Sequence, residues 1–331
     1  MMVVFIIPTG LGCDIGGHAG DATPAARLIA ECCDKLILHP NVVNASDINE
    51  MPEDVLYVEG STLDRFLEGD ICLQEVRKNK ILVAVNKPAH ADSVNAVSAA
   101  RATRGIDAQV IELETPLLMK GYMKDNRAVG ECSGVEELIR QVLTLDFDAL
   151  AICTEIEVPP EIALNYFKVG GVNPWGGIEA IVSKQISIAL RKPVAHAPIE
   201  SQSTKDSEEL FQICYNDVVD PRMAAEVCSC CYVHCVLKGL HKAPRISKAG
   251  IHRDSVGCLI TPYGCIGRPH EACFDGDIPV IAVRQNNSHQ AQYDDRIIYV
   301  ENYVEAAGMV SLIKAGVTLE SVTRIGPTRI L

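Results

Sequence analysis

The sequence predicts an α/β fold, with mainly parallel sheets flanked by helices in two Rossmann-like lobes and a cleft between them. Three observations carry this. Short Val/Ile/Leu-rich runs alternate along the chain with segments of helical pattern, the order produced when strands are joined by crossover helices. The runs are continuously apolar rather than alternating, as in parallel strands covered on both faces. A length of 331 residues also exceeds the roughly 100–200 residues of a typical domain. Two α/β lobes are therefore expected, over 1–145 and 146–331, working as one functional unit.

The first run, residues 3–7, stops at Pro8 and gives way to a loop with five glycines: Gly10, Gly12, Gly16, Gly17 and Gly20. Thr23 is placed as the N-cap of the following helix, with Pro24 at the first helical position, where its missing N–H is harmless. Further strands are expected at 35–39, 55–59, 80–85, 108–113, 149–153, 193–197, 257–261, 279–283 and 296–300. Helical patterns cover 24–34, 61–78, 92–104, 134–144, 176–190, 206–216, 221–240 and 301–315. Residues 118–133 read as a lobe boundary or flap, and 201–209 as a loop.

Composition narrows the class of function. A net charge of −13 and 5% aromatic content oppose phosphate contacts and base stacking, so no nucleic-acid partner is expected. No apolar run reaches the roughly 18–20 residues needed to cross a bilayer, and the N-terminus lacks the basic start of a signal peptide. A cytoplasmic protein without a membrane partner, beginning at Met1 or Met2, is the expectation. A homo-oligomer is compatible with it. The 14 cysteines do not form the short secreted pattern of a disulfide scaffold. Cys228, Cys231 and Cys235 share one helical face with Cys230 beside them, and read as small buried hydrophobes rather than zinc ligands.

Ligands of open α/β sheets gather at the carboxyl ends of strands, and the loops after these runs are unusually polar. Besides the opening loop with Thr9, Asp14, His18 and Asp21, the strand ends offer His39 and Asn41, Glu59 and Ser61, Lys87, His90 and Asp92, then Thr154 and Glu155. His196, Thr261, Tyr263, Arg284, Asn286 and His289 come after later strands. The opening loop fails as a dinucleotide fingerprint, because its third glycine comes one residue late and no acidic residue ends the second strand. There is no ATP P-loop. As a glycine loop before a helix it fits an anion site, as does GGVNPWGGIEA (170–180) with Asn173, Trp175, Gly176 and Gly177. In TPYGCIGRPHEACF (261–274), Cys265, Arg268, His270 and Glu271 combine a thiol, an anion clamp and an acid/base pair. Cys13 could face Cys265 across a cleft, as the paired thiols of amino-acid racemases do.

The strings PTGLGCDIGGHAGDATPAARLIA, NASDINEMPEDVLYVEGS, GGVNPWGGIEAIVSK, LKGLHKAPRI and TPYGCIGRPHEA resemble a family known only as a domain of unknown function, found largely in photosynthetic lineages. The resemblance spans nearly the whole chain and implies one functional unit, with no reaction to carry over.

The leading expectation is an enzyme that moves protons on a small anionic, carboxylate-bearing metabolite, of isomerase, racemase or lyase type. His18, Asp21, His90, Asp92, Cys265, His270 and Glu271 are its catalytic candidates. Thr9, Gly10, Gly12, Gly16, Gly17, Asn173, Trp175, Gly176, Gly177, Arg268 and Arg284 are its substrate-binding candidates. No cofactor is expected, and NAD least of all. The alternatives are a metal-dependent hydrolase, with a divalent ion on the histidines and carboxylates, and a small-ligand-binding protein without activity.

Overall fold

The computed structural model describes residues 1–16, 20–43, 48, 51–197, 199, 208–215, 218–222, 224 and 232–328. The first apolar run lies at the centre of its larger sheet. Met2–Phe5 forms β1, which pairs in parallel on both edges, and Val3, Val4 and Phe5 are fully buried. A strand covered on both faces has no side for a polar residue, which is why this run does not alternate. Burying a side chain such as Phe5 contributes about 1.5–3 kcal/mol.

On one side β1 is followed by β2 (Lys35–Leu38) and β3 (Val55–Tyr57). On the other come β12 (Val256–Tyr263), β13 (Val280–Asn287) and β14 (Ile298–Val300), giving six parallel strands. A second sheet of four parallel strands runs in the order β10 (Val194–His196), β9 (Ala149–Cys153), β5 (Lys80–Asn86), β6 (Asp107–Leu113). Two antiparallel ribbons complete the strands, β7 (Leu118–Lys124) with β8 (Arg127–Ser133), and β4 (Cys72–Gln74) with β11 (Arg245–Ser247).

Helices cover both faces of each sheet. Val3 and Phe5 pack with Ala26 and Ile29 of α1 (Thr23–Ala30) and Val310 of α10 (Tyr303–Ala315). Val4 and Ile6, pointing the other way, meet Phe66 of α2 (Gly60–Leu67) and Cys273 of α9 (Arg268–Asp275). In the second sheet, Leu82 and Ala84 face α4 (Val135–Val142), α5 (Pro160–Val169) and α6 (Gly176–Leu190). Val83 and Val85 face α3 (Ala91–Arg104) and α8 (Tyr232–Lys242), while α7 (Glu208–Tyr215) lies against α5. Helix α6 also packs on α2, so the two sets of layers meet there.

The α/β class with parallel sheets is what the sequence predicts, and several details differ from expectation. Helix α2 ends at Leu67 instead of reaching 78, because Gly69 turns the chain at φ +82 and Cys72–Gln74 then pairs as β4. The segment expected as a boundary or flap is the β7–β8 hairpin, closed by Asp125 and Asn126 in left-handed conformation, the pair of residue types a tight hairpin favours. Helices α5 and α9 stand where the sequence pattern predicts none, each with proline in its first turn. Helix α1 opens at Thr23 itself, whose hydroxyl donates back to the Gly20 carbonyl at 2.6 Å, with Ala22 at the cap position. Strand pairing crosses residue 146 in both sheets, β1 with β12 and β5 with β9, so neither sheet is confined to 1–145 or to 146–331.

Candidate functional site

A cavity of about 310 Å³ opens at the carboxyl ends of β1, β2 and β3 and faces α6 and the end of β10. That volume is at the lower end for small-molecule pockets. The parallel sheet explains the lining, since every strand delivers its following loop to the same edge. Thr9 follows β1, His39 and Asn41 follow β2, and Glu59 and Ser61 follow β3; α2 adds Asp64, α6 adds Glu179, Ser183 and Lys184, and His196 ends β10.

Some of these side chains hold the frame. Glu59 is buried and caps α2: its carboxylate accepts from the N–H groups of Ser61 (2.8 Å) and Thr62 (3.1 Å), from the Thr62 hydroxyl and from the Ser187 hydroxyl. Burial raises its pKa, and these hydrogen bonds oppose the shift. The His39 imidazole is buried, which lowers its pKa to about 4 and keeps it neutral near pH 7. Its Nδ1 accepts from the Asn41 N–H at 3.2 Å, leaving the proton on Nε2. Gly60 makes room for that nitrogen, since a Cβ there would stand 2.9 Å from it. Asn41 in turn donates to the Thr9 hydroxyl at 3.1 Å.

Other side chains are poised for chemistry. Burial pushes the Asp64 carboxyl up to about 6, against the pull of Arg268, 3.8 Å away, and of Lys184. From α6 and the end of β10, a chain of hydrogen bonds runs from the interior to the opening. Thr154 Oγ1 lies 3.2 Å from His196 Nε2, and His196 Nδ1 lies 3.4 Å from Glu179 Oε1. The His196 side chain is 1% exposed and that of Glu179 25%, so the carboxylate is the end that reaches open space. With the Thr154 hydroxyl donating to Nε2 and the Nδ1–H donating to Glu179, every group in the chain is satisfied.

The opening glycine loop is arranged differently. Three successive amides are taken: Asp14 N–H donates to the Asn287 carbonyl (3.1 Å), Ile15 N–H to Asn286 Oδ1 (2.8 Å) and Gly16 N–H to Asp21 Oδ1 (2.7 Å). Asp21 also pairs with Arg222 at 2.7 Å. Gly16 packs so tightly that a Cβ would lie 2.0 Å from Ile7. Gly10 and Gly12 adopt positive φ and touch the second glycine loop, Gly10 against Gly177 and Gly12 against Gly171. Gly177 leaves no room for a side chain, with Ala128 O at 2.0 Å from an added Cβ, and Gly176 lies against Thr9. Gly17 and His18 lie outside the described residues, as do Cys228, Cys230 and Cys231.

The remaining candidates are scattered. His270 is buried; its Nδ1 accepts from Gly267 N–H at 3.1 Å, its Nε2 lies 2.9 Å from the Thr261 hydroxyl, and burial lowers its pKa to about 4. The Thr261 hydroxyl lies 3.6 Å from Cys265 Sγ, and that thiol donates to the Pro262 carbonyl. Cys13 and Cys265 do lie near each other, but burial pushes both thiols up, away from the thiolate. His90 caps α3 from the surface beside exposed Asp92. Arg268 is forked onto Glu68 at 2.8 and 2.7 Å. Arg284 pairs with Glu301 and stacks over Tyr299, and exposed Glu271 stands 3.9 Å from Arg296. Asn173 accepts from Trp175 N–H, and Trp175 packs on Tyr166 and Phe167. Among the described residues, no three His, Cys, Asp or Glu side chains are gathered as a ligand set.

Of the sequence candidates, then, Thr9 lines the cavity, while His90, Asp92, Asn173, Trp175, Arg284 and Glu271 do not. His39, Asn41, Glu59, Ser61 and His196 stand at strand ends, where the sequence marks them as polar but not as site residues. Asp64 and Lys184 lie inside helical patterns, where a charged residue is read by default as a solvated face.

Fold and cavity together define an α/β protein of two parallel sheets with a pocket carrying charged and polar side chains at strand carboxyl ends. The chain belongs to the family described as "Protein of unknown function (DUF3326)", which matches residues 2–323. It is 34% identical over 337 residues to an uncharacterized lipoprotein of Synechococcus sp., a match covering 95% of this chain and 90% of that protein. No solved structure matches it. The relative's description overturns the cytoplasmic assignment. That assignment rested on the lack of a spanning run and of a basic signal-peptide start, and attachment through a lipid needs no spanning run. Among the described residues no helix is long and apolar enough to cross a membrane.

Proposed function

We propose that this chain is an enzyme that moves protons on a small carboxylate-bearing metabolite, by isomerisation, racemisation or lyase chemistry. The observation that supports it is the pairing, in one small cavity, of two carboxyl groups in unlike settings. Asp64 titrates at about 6 because it is buried, whereas Glu179 is hydrogen-bonded to an imidazole. Groups whose environments differ in this way divide into acid and base, and a pKa near the working pH suits proton transfer.

In this reading Glu179 takes a proton from the carbon next to the substrate's carboxylate, and His196 and Thr154 behind it hold the carboxylate in position. The protonated Asp64 returns a proton, to that carbon from the other side in a racemisation or to the departing group in a lyase reaction. Lys184 holds the substrate's carboxylate, and the Nε2–H of His39 offers a neutral donor. The relative's name supports a place at a membrane surface for this chain as well.

The test is incubation with a metabolite extract in D2O, following deuterium uptake and product by mass spectrometry and NMR. Wild type is expected to label or convert a small carboxylate, and Glu179→Gln to do neither while keeping its circular dichroism spectrum. Ligand-induced stabilisation of the wild type with no labelled or converted compound would overturn the reading in favour of a binding protein.

A further inference from the structure

The walls of the cavity carry both signs of charge without pairing them fully. Lys184, half-buried on α6, forms no ion pair within 4.0 Å among the described residues, yet it lies close enough to Asp64 to bear on its ionisation. Asp64 and Glu179 reach the opening with 22% and 25% of their side chains exposed. The Ser61 hydroxyl, in the same wall, is buried and has no hydrogen-bond partner. A buried polar atom left unpaired is uncommon in a folded protein and marks a place where a partner belongs.

These groups discriminate between ligand classes. A ligand with only a carboxylate would pair with Lys184 and Ser61, but would set its charge beside Glu179 and the ionised form of Asp64. One with only an amine would suit the acids and be repelled by Lys184. Such like-charge contacts weigh more away from bulk water, and a pocket of about 310 Å³ holds a small ligand close to them. From this charge pattern we infer that the cavity takes a small zwitterion of the α-amino-acid class, with its carboxylate at Lys184 and Ser61 and its ammonium group toward Asp64 and Glu179. The inference rests on the proposed site but not on the proposed reaction.

The experiment is a melting-temperature and calorimetric screen of the full chain against the common amino acids in both L and D forms, each beside its 2-hydroxy-acid analogue. At least one amino acid is expected to raise the melting temperature and to bind at least tenfold more tightly than its hydroxy analogue. Lys184→Ala and Asp64→Asn, checked for folding by circular dichroism, should each weaken that binding at least tenfold. Hydroxy acids binding as well as amino acids would overturn the inference, and so would a screen in which no amino acid binds. Incubating the bound amino acid in D2O separates the two readings. Binding without α-proton exchange leaves the zwitterion standing and defeats proton transfer, whereas exchange of a hydroxy acid alone defeats the zwitterion and leaves proton transfer intact.

Discussion

The opening glycine loop and the α2–α6 cavity contain the same kinds of residue and use them in opposite ways. In the loop, Asp14, Asp21 and three successive amides lie close in sequence, and their hydrogen bonds end on one another, on residues 286–287 or, for Asp21, on Arg222 as well. In the cavity, the polar groups come from segments far apart in sequence; the Ser61 hydroxyl has no hydrogen-bond partner, and Lys184 has no ion pair within 4.0 Å among the described residues. Density of chemical residues along a chain is thus a poor guide to a site. What marks a site is polar capacity left over once the fold has been built.

Four substitutions can break or sharpen that contrast. The largest effect is expected from Glu179→Gln in the cavity, a fall in turnover of about 10²–10⁴-fold at an unchanged melting temperature. Asp21→Ala should do the reverse. It leaves the Gly16 N–H and Arg222 without their acceptor, lowering stability by about 1–3 kcal/mol in denaturant titration, with activity per folded molecule retained. Lost turnover at unchanged stability would return the chemistry to the loop.

Asp64→Asn gives a smaller effect that depends on pH. Its carboxyl is raised from 3.8 to about 6, so the folded chain holds that proton more tightly than the unfolded chain does. Stability from this group is therefore full below about pH 4 and is lost as pH rises through 6. The amide should raise the melting temperature at pH 8, by an equivalent of roughly 1–3 kcal/mol, and change little at pH 4. A gain of the same size at both values would show that Asp64 does not titrate in this way. Least of all, Arg284→Ala, on the surface beside Glu301, should stay within about 0.5 kcal/mol of wild type and leave turnover unchanged.

Much of the fold is legible in the sequence, because a strand covered on both faces must be apolar at every position, as 3–5 and 81–85 are. Strand partners are not legible. Nothing within Val3–Phe5 announces that it pairs with Cys258–Ile260, and this alone makes a division at residue 146 look natural. The site is legible in part. The rule that loops after parallel strands hold ligands reaches His39, Glu59 and His196, yet a preference for short, dense motifs passes over them. Asp64 and Lys184 give no local signal, since only the packing of α2 on α6 takes them out of solvent.

The central place of β1 has a consequence for how the chain is made. Met2–Phe5 is synthesised long before Val256–Tyr263, the strand that completes one of its edges. Until then the nascent chain carries an apolar strand with an open edge, the feature that recruits other chains, and contacts this distant in sequence form slowly. Translation that stops before residue 256 should therefore yield aggregates rather than a soluble fragment, and the protein should depend on chaperones during synthesis more than a chain whose first strand pairs with its second and third alone.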